Sequence, residues 1–444
     1  MLLGFRVANH RSLRDEQELL LLPADEEHDG YPVPSRTKPL HVAGIFGANA
    51  SGKTALVDAL SFMARMVSGH YDQRSDLFGE IEQIPREPFL LDPVHADEPS
   101  SFTVDLLLGG HRYTYGFGVT GTEVVEEWLY LYTPDGTEEV VFEREGQSFS
   151  YGTAETDAPE LTDVLNVEHN VLLIGVLANA QPAAFRSSAA EALREVRKWF
   201  LRRLSNWGQV SPELSRTLTR IEPRLLERLS SLAASADTGI DGYEFTRNEV
   251  AERQLTLLES YGSEAADLLP GSARTGRVHF RHRGRTDTYP LDLSAESSGT
   301  RAILSLGLAV LQALEHGGTL VVDEFDTSLH SSLSGALIKL FNTPENNPYG
   351  AQLVFTSHDT NLLGRIHGHE VLASDEIWLT EKDSSGATSL YPVSSFESAD
   401  EENRDRRYLV GRYGGVPHLD EAAFLEALRP RGPQARSPRD EETP

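Results

Sequence analysis

The sequence predicts an α/β protein: a mixed, largely parallel sheet flanked by helices, an antiparallel β subdomain and a helical insertion. Three observations predict it. The apolar run His41-Val42-Ala43-Gly44-Ile45-Phe46 leads through a glycine-bounded loop into a helix-like run from Ala55 to Met66. Short β-type runs separated by turn residues fill the stretch from Pro88 to Tyr151. From Thr300 onward helical and strand patterns alternate, the order that builds a parallel sheet.

Residues 1–22 read as two strands, with Leu3, Phe5 and Val7 alternating in the first and an apolar end to Glu18–Leu22 in the second. Asn9-His10-Arg11-Ser12 is the turn between them, and residues 23–40, rich in Pro, Asp and Glu, read as a loop. Phe102–Leu108, His111–Phe117, Glu126–Tyr132 and Glu138–Phe142 are strands of an antiparallel sheet, joined at Gly109-Gly110 and Pro134-Asp135-Gly136. From about Asn166 to Tyr261 the period turns helical. Leu193, Val196, Phe200 and Leu204 share a stripe within Glu191–Leu204, Leu218, Ile221, Leu225 and Leu229 share another after Ser211-Pro212-Glu213, and Asn248–Tyr261 makes a further helix. Arg277–Arg283 and Thr288–Leu293 are strands and Thr300–Glu315 a helix. Gly318–Asp323 is a buried-type strand, Ser331–Phe341 a helix, Gln352–Thr356 a strand and Glu376–Thr380 the last strand. The expected organisation is a first sheet-bearing part at 1–165, a helical insertion at 166–270, a second sheet-bearing part at 271–395, a C-terminal segment at 396–428 and a disordered tail at 429–444.

Composition narrows the function. Apolar residues make up 39% and charged residues 24% of the chain, ordinary for a globular protein. No apolar run approaches a membrane span, and Met1–Arg6 is charged too soon for a secretory signal, so a cytoplasmic protein without membrane contact is expected. Zero cysteines exclude disulfides, Cys-ligated zinc and thiol catalysis. The net charge of −28 opposes non-specific binding to nucleic acid, which would need a local basic patch or another subunit. The run Arg194, Arg197, Lys198, Arg202, Arg203 is either such a patch or the solvated face of an amphipathic helix.

The chemistry starts at Gly47-Ala48-Asn49-Ala50-Ser51-Gly52-Lys53-Thr54, which has the phosphate-binding spacing G-x-x-x-x-G-K-T between strand and helix. Phosphate oxygens need several N–H donors converging on one point, and a loop wrapped around a helix start supplies them with the positive end of the helix dipole. Gly47 and Gly52 permit close backbone approach, Lys53 would reach the β- and γ-phosphates of a nucleotide, and Thr54 would offer its hydroxyl to Mg²⁺. Thr319-Leu320-Val321-Val322-Asp323-Glu324 delivers two carboxylates at a strand's carboxyl end: Asp323 to hold Mg²⁺ through water, Glu324 to orient or deprotonate an attacking water. Glu296-Ser297-Ser298-Gly299-Thr300-Arg301 fronts a second helix start suited to phosphate, which would serve a nucleotide bound by another copy of the chain. His358, in Phe355-Thr356-Ser357-His358-Asp359, is placed to contact a γ-phosphate, and Asp326-Thr327-Ser328-Leu329-His330 to touch a partner's site.

These motifs, in this order, resemble those of ABC-type ATPases. Gly47–Thr54 resembles their Walker A motif, Ser297-Ser298-Gly299-Thr300 their signature, Leu320–Glu324 Walker B, Thr327-Ser328-Leu329-His330 the D-loop and His358 the switch histidine. The opening Phe5-Arg6-Val7-Ala8-Asn9-His10-Arg11-Ser12-Leu13 is similar to the start of SMC, RecF and OLD ATPases. Together with the tail Arg407–Pro417 it resembles bacterial AAA-family ATPases of abortive-infection and anti-phage systems, including the AbiL, RloA and PARIS types. The likeness spans most of residues 1–417 and is weakest over 160–270. The signature departs from the Leu-Ser-Gly-Gly-Gln form, and Gln83 is the nearby candidate for the Q-loop glutamine. The resemblance implies an ABC-ATPase head that binds ATP and Mg²⁺ and hydrolyses ATP. Glu324, His358 and Lys53 would be catalytic, in a homodimer or higher homo-oligomer closed around the nucleotide. It also implies a separately encoded effector, a nuclease of TOPRIM type or similar, because the roughly 60 residues after Thr380 are too few for such a domain in cis. A phage-derived trigger and nucleic acid are further candidate partners. The rival reading is a DNA-repair or recombination ATPase that clamps DNA itself.

Overall fold

The computed structural model describes residues 1–24, 38–69, 83–133, 135–152, 167–176, 188–208, 210–211, 213–246, 276–396, 404–416 and 421–429. In chain order the strands are β1 (Leu2–Ala8), β2 (Gln17–Leu20), β3 (Val42–Gly47), β4 (Ser100–Leu108), β5 (His111–Val119), β6 (Val124–Tyr132), β7 (Glu138–Glu145), β8 (Ser148–Tyr151), β9 (Leu204–Trp207), β10 (Ile240–Thr246), β11 (Arg277–Arg283), β12 (Thr288–Asp292), β13 (Thr319–Val322), β14 (Gln352–Thr356), β15 (Arg365–Ile366), β16 (His369–Glu370), β17 (Ile377–Lys382) and β18 (Thr388–Pro392). The main helices are α1 (Lys53–Ser68), α2 (Ser188–Arg202), α3 (Leu214–Leu218), α4 (Pro223–Ser235), α5 (Ser298–His316), α6 (Ser331–Asn342) and α7 (Arg404–Leu409).

Two sheets carry the architecture. The first is antiparallel throughout, in the order β2-β1-β4-β5-β6-β7-β8. The second runs β18-β17-β3-β14-β13-β9, parallel except for β18 at its edge. Strands β3, β13 and β14 are buried along their whole length. Their apolar residues therefore run without a polar alternation, because both faces of the sheet are covered. On one face Ala43, Ile45, Val321 and Val354 pack with Leu56, Leu60 and Met63 of α1, with Trp199 and Phe200 of α2, and with the inner face of the antiparallel sheet. On the other face Phe46, Leu320, Val322 and Phe355 pack with Leu306 and Val310 of α5 and Leu337, Ile338 and Phe341 of α6. A three-stranded sheet, β10-β11-β12, packs with α3, α4 and the outer side of α5 through Leu229, Phe280, Leu304 and Leu308.

Several expectations change. The stretch 166–270, expected to be helical, contributes β9 to the edge of the parallel sheet and β10 to the small sheet. Leu204-Ser205-Asn206-Trp207 has no apolar run to announce a strand. Edge pairing with β13 needs only backbone groups, so the helical stripe stops at Arg202 and Leu204 belongs to the sheet. The expected helix after Ser211 is two, α3 and α4, and the second begins at Pro223, a residue suited to a helix's first turn and not to its interior. Glu376–Thr380 is not the last strand; β18 follows and pairs back antiparallel on β17. The expected helix at Asn248–Tyr261 and nearly all of the expected tail, 430–444, lie outside the described residues.

The antiparallel sheet holds a buried ion pair. Glu127 and Arg144 have fully buried side chains with 3.6 Å between Oε2 and Nη1. Glu127 accepts hydrogen bonds from Tyr115 Oη, Leu173 N and Ile174 N. Arg144 donates to the carbonyls of Gly146, Glu168, His169 and Val171. Burial pushes the Glu127 carboxyl above its ordinary value, against the pull of these donors and of Arg144. The pair thus pins 168–174 to the neighbouring strands β6 and β7. Arg144→Met, which leaves Glu127 buried without its cation, should cost about 3–5 kcal/mol in urea unfolding, and adding Glu127→Gln should recover part of that loss.

Candidate functional site

The loop between β3 and α1 is shaped by contacts that leave no room for side chains at its glycines. A Cβ on Gly47 would overlap Thr380 Oγ1 and stand 2.6 Å from the Thr380 carbonyl oxygen. One on Gly52, at φ +109°, would overlap Thr388 Oγ1 and stand 2.9 Å from Ser12 Oγ. Ser51 Oγ hydrogen-bonds Thr380 Oγ1 at 2.6 Å, and Thr388 Oγ1 donates to the Ser51 carbonyl at 2.8 Å. Helix α1 starts at Lys53 without a capping side chain or an acid in its first turn, so the positive end of its dipole is not neutralised from within. Ala48 is half-buried, Asn49 and Ala50 are exposed at the loop tip, and Ala50 takes φ +62°.

Lys53 is buried, and its ammonium donates to the carbonyls of Gly47 and Ala48, each at 2.8 Å. Burial lowers its pKa to about 8, and the carboxylates of Asp323, Asp326 and Glu324 oppose that shift. Thr54 Oγ1 lies 3.3 Å from Asp323 Oδ1. That same carboxylate oxygen accepts a 2.6 Å bond from Thr356 Oγ1, and Thr356 Oγ1 in turn accepts from Glu324 N at 2.7 Å. Glu324 is exposed with φ +54°, a backbone conformation that costs energy in a non-glycine residue and is held here by the Thr356 bond. Asp326 Oδ1 accepts from His358 N at 3.1 Å, leaving the His358 ring exposed beside the acidic turn. The structure therefore gathers Gly47–Thr54, Asp323, Glu324 and His358 at the carboxyl ends of β3, β13 and β14.

The second helix start is built separately. Ser297 caps α5, its Oγ accepting from Thr300 N at 3.0 Å and sharing a 2.8 Å bond with Thr300 Oγ1. Ser297 and Ser298 are exposed and Thr300 is buried, while a Cβ on Gly299 would stand 3.7 Å from the Ser328 carbonyl oxygen. Buried Glu296, just before the cap, bonds His282 Nε2 at 2.7 Å. Among the described residues no hydrogen bond or ion pair joins Ser297–Thr300 to Gly47–Thr54 within one chain.

Other sequence candidates are dispersed. Gln83 is exposed in the loop before β4. In the basic run, Trp199 and Phe200 are core residues, Lys198 pairs with Glu195, and Arg203 bonds the Gly317 carbonyl. Tyr408 and Tyr413 are core residues too. Residues that sequence reasoning missed include Ser12, Thr356, Thr380 and Thr388, and their only signal is a hydroxyl at a turn or strand end. It also missed Arg11, which at φ +51° pairs with Asp58 of α1 and with Glu87. Beside Arg11 and Ser12 opens a cleft of about 540 Å³, lined also by Leu90, Leu91 and Lys382.

The donor set fits a magnesium ion of the phosphate-bound kind. Thr54 and Asp323 bring two hard oxygens together, and among the described residues no group of three His, Asp or Glu side chains forms a cage of its own. Mg²⁺ commonly takes only one or two protein oxygens and completes its shell with phosphate and water.

A glycine loop at a parallel strand end, with a lysine inside it and an acidic turn facing it, defines a P-loop ATPase domain. The chain belongs to the family described as "AAA domain, putative AbiEii toxin, Type IV TA system", whose model matches residues 42–364. Among solved structures it is similar to the SMC head domain of Thermotoga maritima, at 14% identity and TM-score 0.39, covering 89% of this chain and 99% of that one. It is also similar to RecF in the RecFOR pathway, at 13% identity and TM-score 0.33, covering 88% and 98%. No curated protein matches the sequence. Likeness at that level leaves the chain's own residues to carry its chemistry.

Thr356→Val keeps the volume of the strand end and removes the hydroxyl shared by Asp323 and Glu324 N. It should cost about 1–3 kcal/mol in chemical denaturation, the range for a buried polar group left without its partner.

Proposed function

We propose that the protein hydrolyses ATP as a dimer, each nucleotide lying between Gly47–Thr54 of one copy and Ser297–Thr300 of the other. The observation that carries this reading is the bonded run Thr54–Asp323–Thr356–Glu324 beside a buried lysine. The backbone N–H groups of Gly47–Thr54 and the Lys53 ammonium bind the β- and γ-phosphates. Thr54 and Asp323 hold Mg²⁺, which when bound offsets phosphate charge. Glu324, on its exposed turn, orients the attacking water and takes its proton, and His358 contacts the γ-phosphate. Ser297, Ser298 and Thr300 of the second copy add hydroxyl and helix-start donors to that phosphate. Loss of the γ-phosphate removes charge-assisted bonds between the copies, so hydrolysis becomes a change in dimer geometry.

The family's description names a toxin and a type IV TA system, and we propose that the dimer acts in anti-phage defence as a sensor that holds or releases a separately encoded effector, a nuclease in the first instance. The DNA-clamping alternative is disfavoured by the −28 net charge and by a basic run in which Lys198 is paired with Glu195 and Arg203 is bonded to the Gly317 carbonyl.

Turnover measurements test the enzyme reading. Glu324→Gln should lower kcat by about two orders of magnitude or more with ATP binding retained, and should accumulate an ATP-bound dimer that Ser297→Arg prevents. Lys53→Ala should lose binding. Unchanged turnover in both Glu324→Gln and Lys53→Ala overturns the assignment.

The site should also be pH-sensitive. Lys53 is a base whose pKa is lowered to about 8, so it is charged below that pH and neutral above it. Phosphate favours the charged form. The Kd for ATP, measured calorimetrically, should therefore be flat below pH 8 and rise toward about tenfold per unit above it.

A further inference from the structure

The segment Arg404–Val416 lies beyond the family-matched residues, yet its far end rests on the phosphate loop. After α7 the chain turns through Gly411, Gly414 and Gly415, at φ +77°, +74° and +66°, conformations that glycine takes at least cost. The turn lays bare backbone on the sheet. A Cβ on Gly414 would stand 2.6 Å from Tyr391 Oη and 2.8 Å from Glu381 Oε2. One on Gly415 would stand 3.2 Å from the Thr380 carbonyl oxygen and 4.0 Å from Gly47 Cα. Two tyrosine hydroxyls clamp this backbone: Tyr408 Oη donates to the Gly415 carbonyl at 3.0 Å, and Tyr391 Oη to the Tyr413 carbonyl at 2.9 Å. The rings of Tyr408 and Tyr413 are buried in the cluster that contains Phe46, and Tyr413 packs edge-on against Phe396.

Thr380 stands between this strap and the loop. In register with Gly47 across β17 and β3, it donates from Oγ1 to the Phe46 carbonyl at 3.2 Å and bonds Ser51 Oγ. Its carbonyl faces both Gly47 and Gly415. Gly47 thus packs against Thr380, and Thr380 in turn against the strap's backbone, at the point where the strand bends into the loop. A displacement of Gly415 acts on Gly47 and on Ser51 through Thr380.

We infer that Tyr408 and Gly415 are positioning residues of the phosphate loop: the C-terminal strap sets the geometry at Gly47 and so the affinity for the nucleotide's phosphates. This rests on the proposed ATP site, and the test separates the two. The full chain is made as Tyr408→Phe, which removes one hydroxyl, as Gly415→Ala, and as Leu337→Ala, a core control on α6. Hydrogen exchange is measured at the amides of 47–53 without nucleotide, and ATP Kd, KM and kcat are measured well below each melting temperature. Faster exchange at 47–53 and an ATP Kd raised about tenfold in the strap variants, with kcat changed less and with no such pattern in Leu337→Ala, supports the strap. A lower melting temperature with loop exchange and Kd unchanged overturns it, and Tyr408→Phe decides the matter if Gly415→Ala does not fold. Failure of the wild-type chain to bind ATP would end the functional proposal, while the exchange comparison would still judge the strap.

Discussion

One hydroxyl organises the acidic side of the site. Thr356 ends β14, the strand that separates β3 from β13, so it stands between the phosphate loop and the two carboxylates. Its Oγ1 donates to Asp323 and accepts from Glu324 N. The first bond aims Asp323 at Thr54 and the second holds Glu324 in a left-handed backbone conformation. A carboxylate pair on a flexible turn would repel and wander. Anchored to the middle strand, the pair is preorganised, so its charges are held in place without reorganisation.

The loop obeys a related constraint. Its backbone donors converge only if Gly47 and Gly52 pass within contact distance of neighbouring residues, and those neighbours come from β17 and from the start of β18. The loop's shape is therefore set by strands that arrive more than 300 residues later in the chain. Lys53 shows the electrostatic counterpart. Its burial lowers the ammonium's pKa to about 8, while three carboxylates across the site oppose the shift, so the side chain stays mostly charged at neutral pH and loses its charge just above it.

The antiparallel sheet solves a different problem. Its buried Glu127–Arg144 pair and the Asp105 carboxylate, which meets Arg6, Arg112 and Thr114, place charges where apolar packing is the norm. Such groups contribute less through net attraction than through the cost of any arrangement that leaves them unpaired, so they select one register and one seat for residues 168–174.

By itself the sequence determined the local elements and the chemical inventory. The strand–loop–helix at 42–68, the antiparallel run at 100–145, the alternating elements after 298 and the positions of Lys53, Thr54, Asp323, Glu324 and His358 were legible, because period, glycine spacing and strand-end acids are properties of neighbouring residues. Tertiary structure alone decided the rest. Strand β9 carries no apolar signal and exists because β13 offers an edge. Thr356, Thr380 and Thr388 are ordinary hydroxyl residues until strand order sets them against the loop and its carboxylates. The glycines at 414 and 415 look like a turn in a tail, and only the folded sheet shows what they lie against. Contacts between residues hundreds of positions apart depend on strand order and register, and no local pattern encodes those.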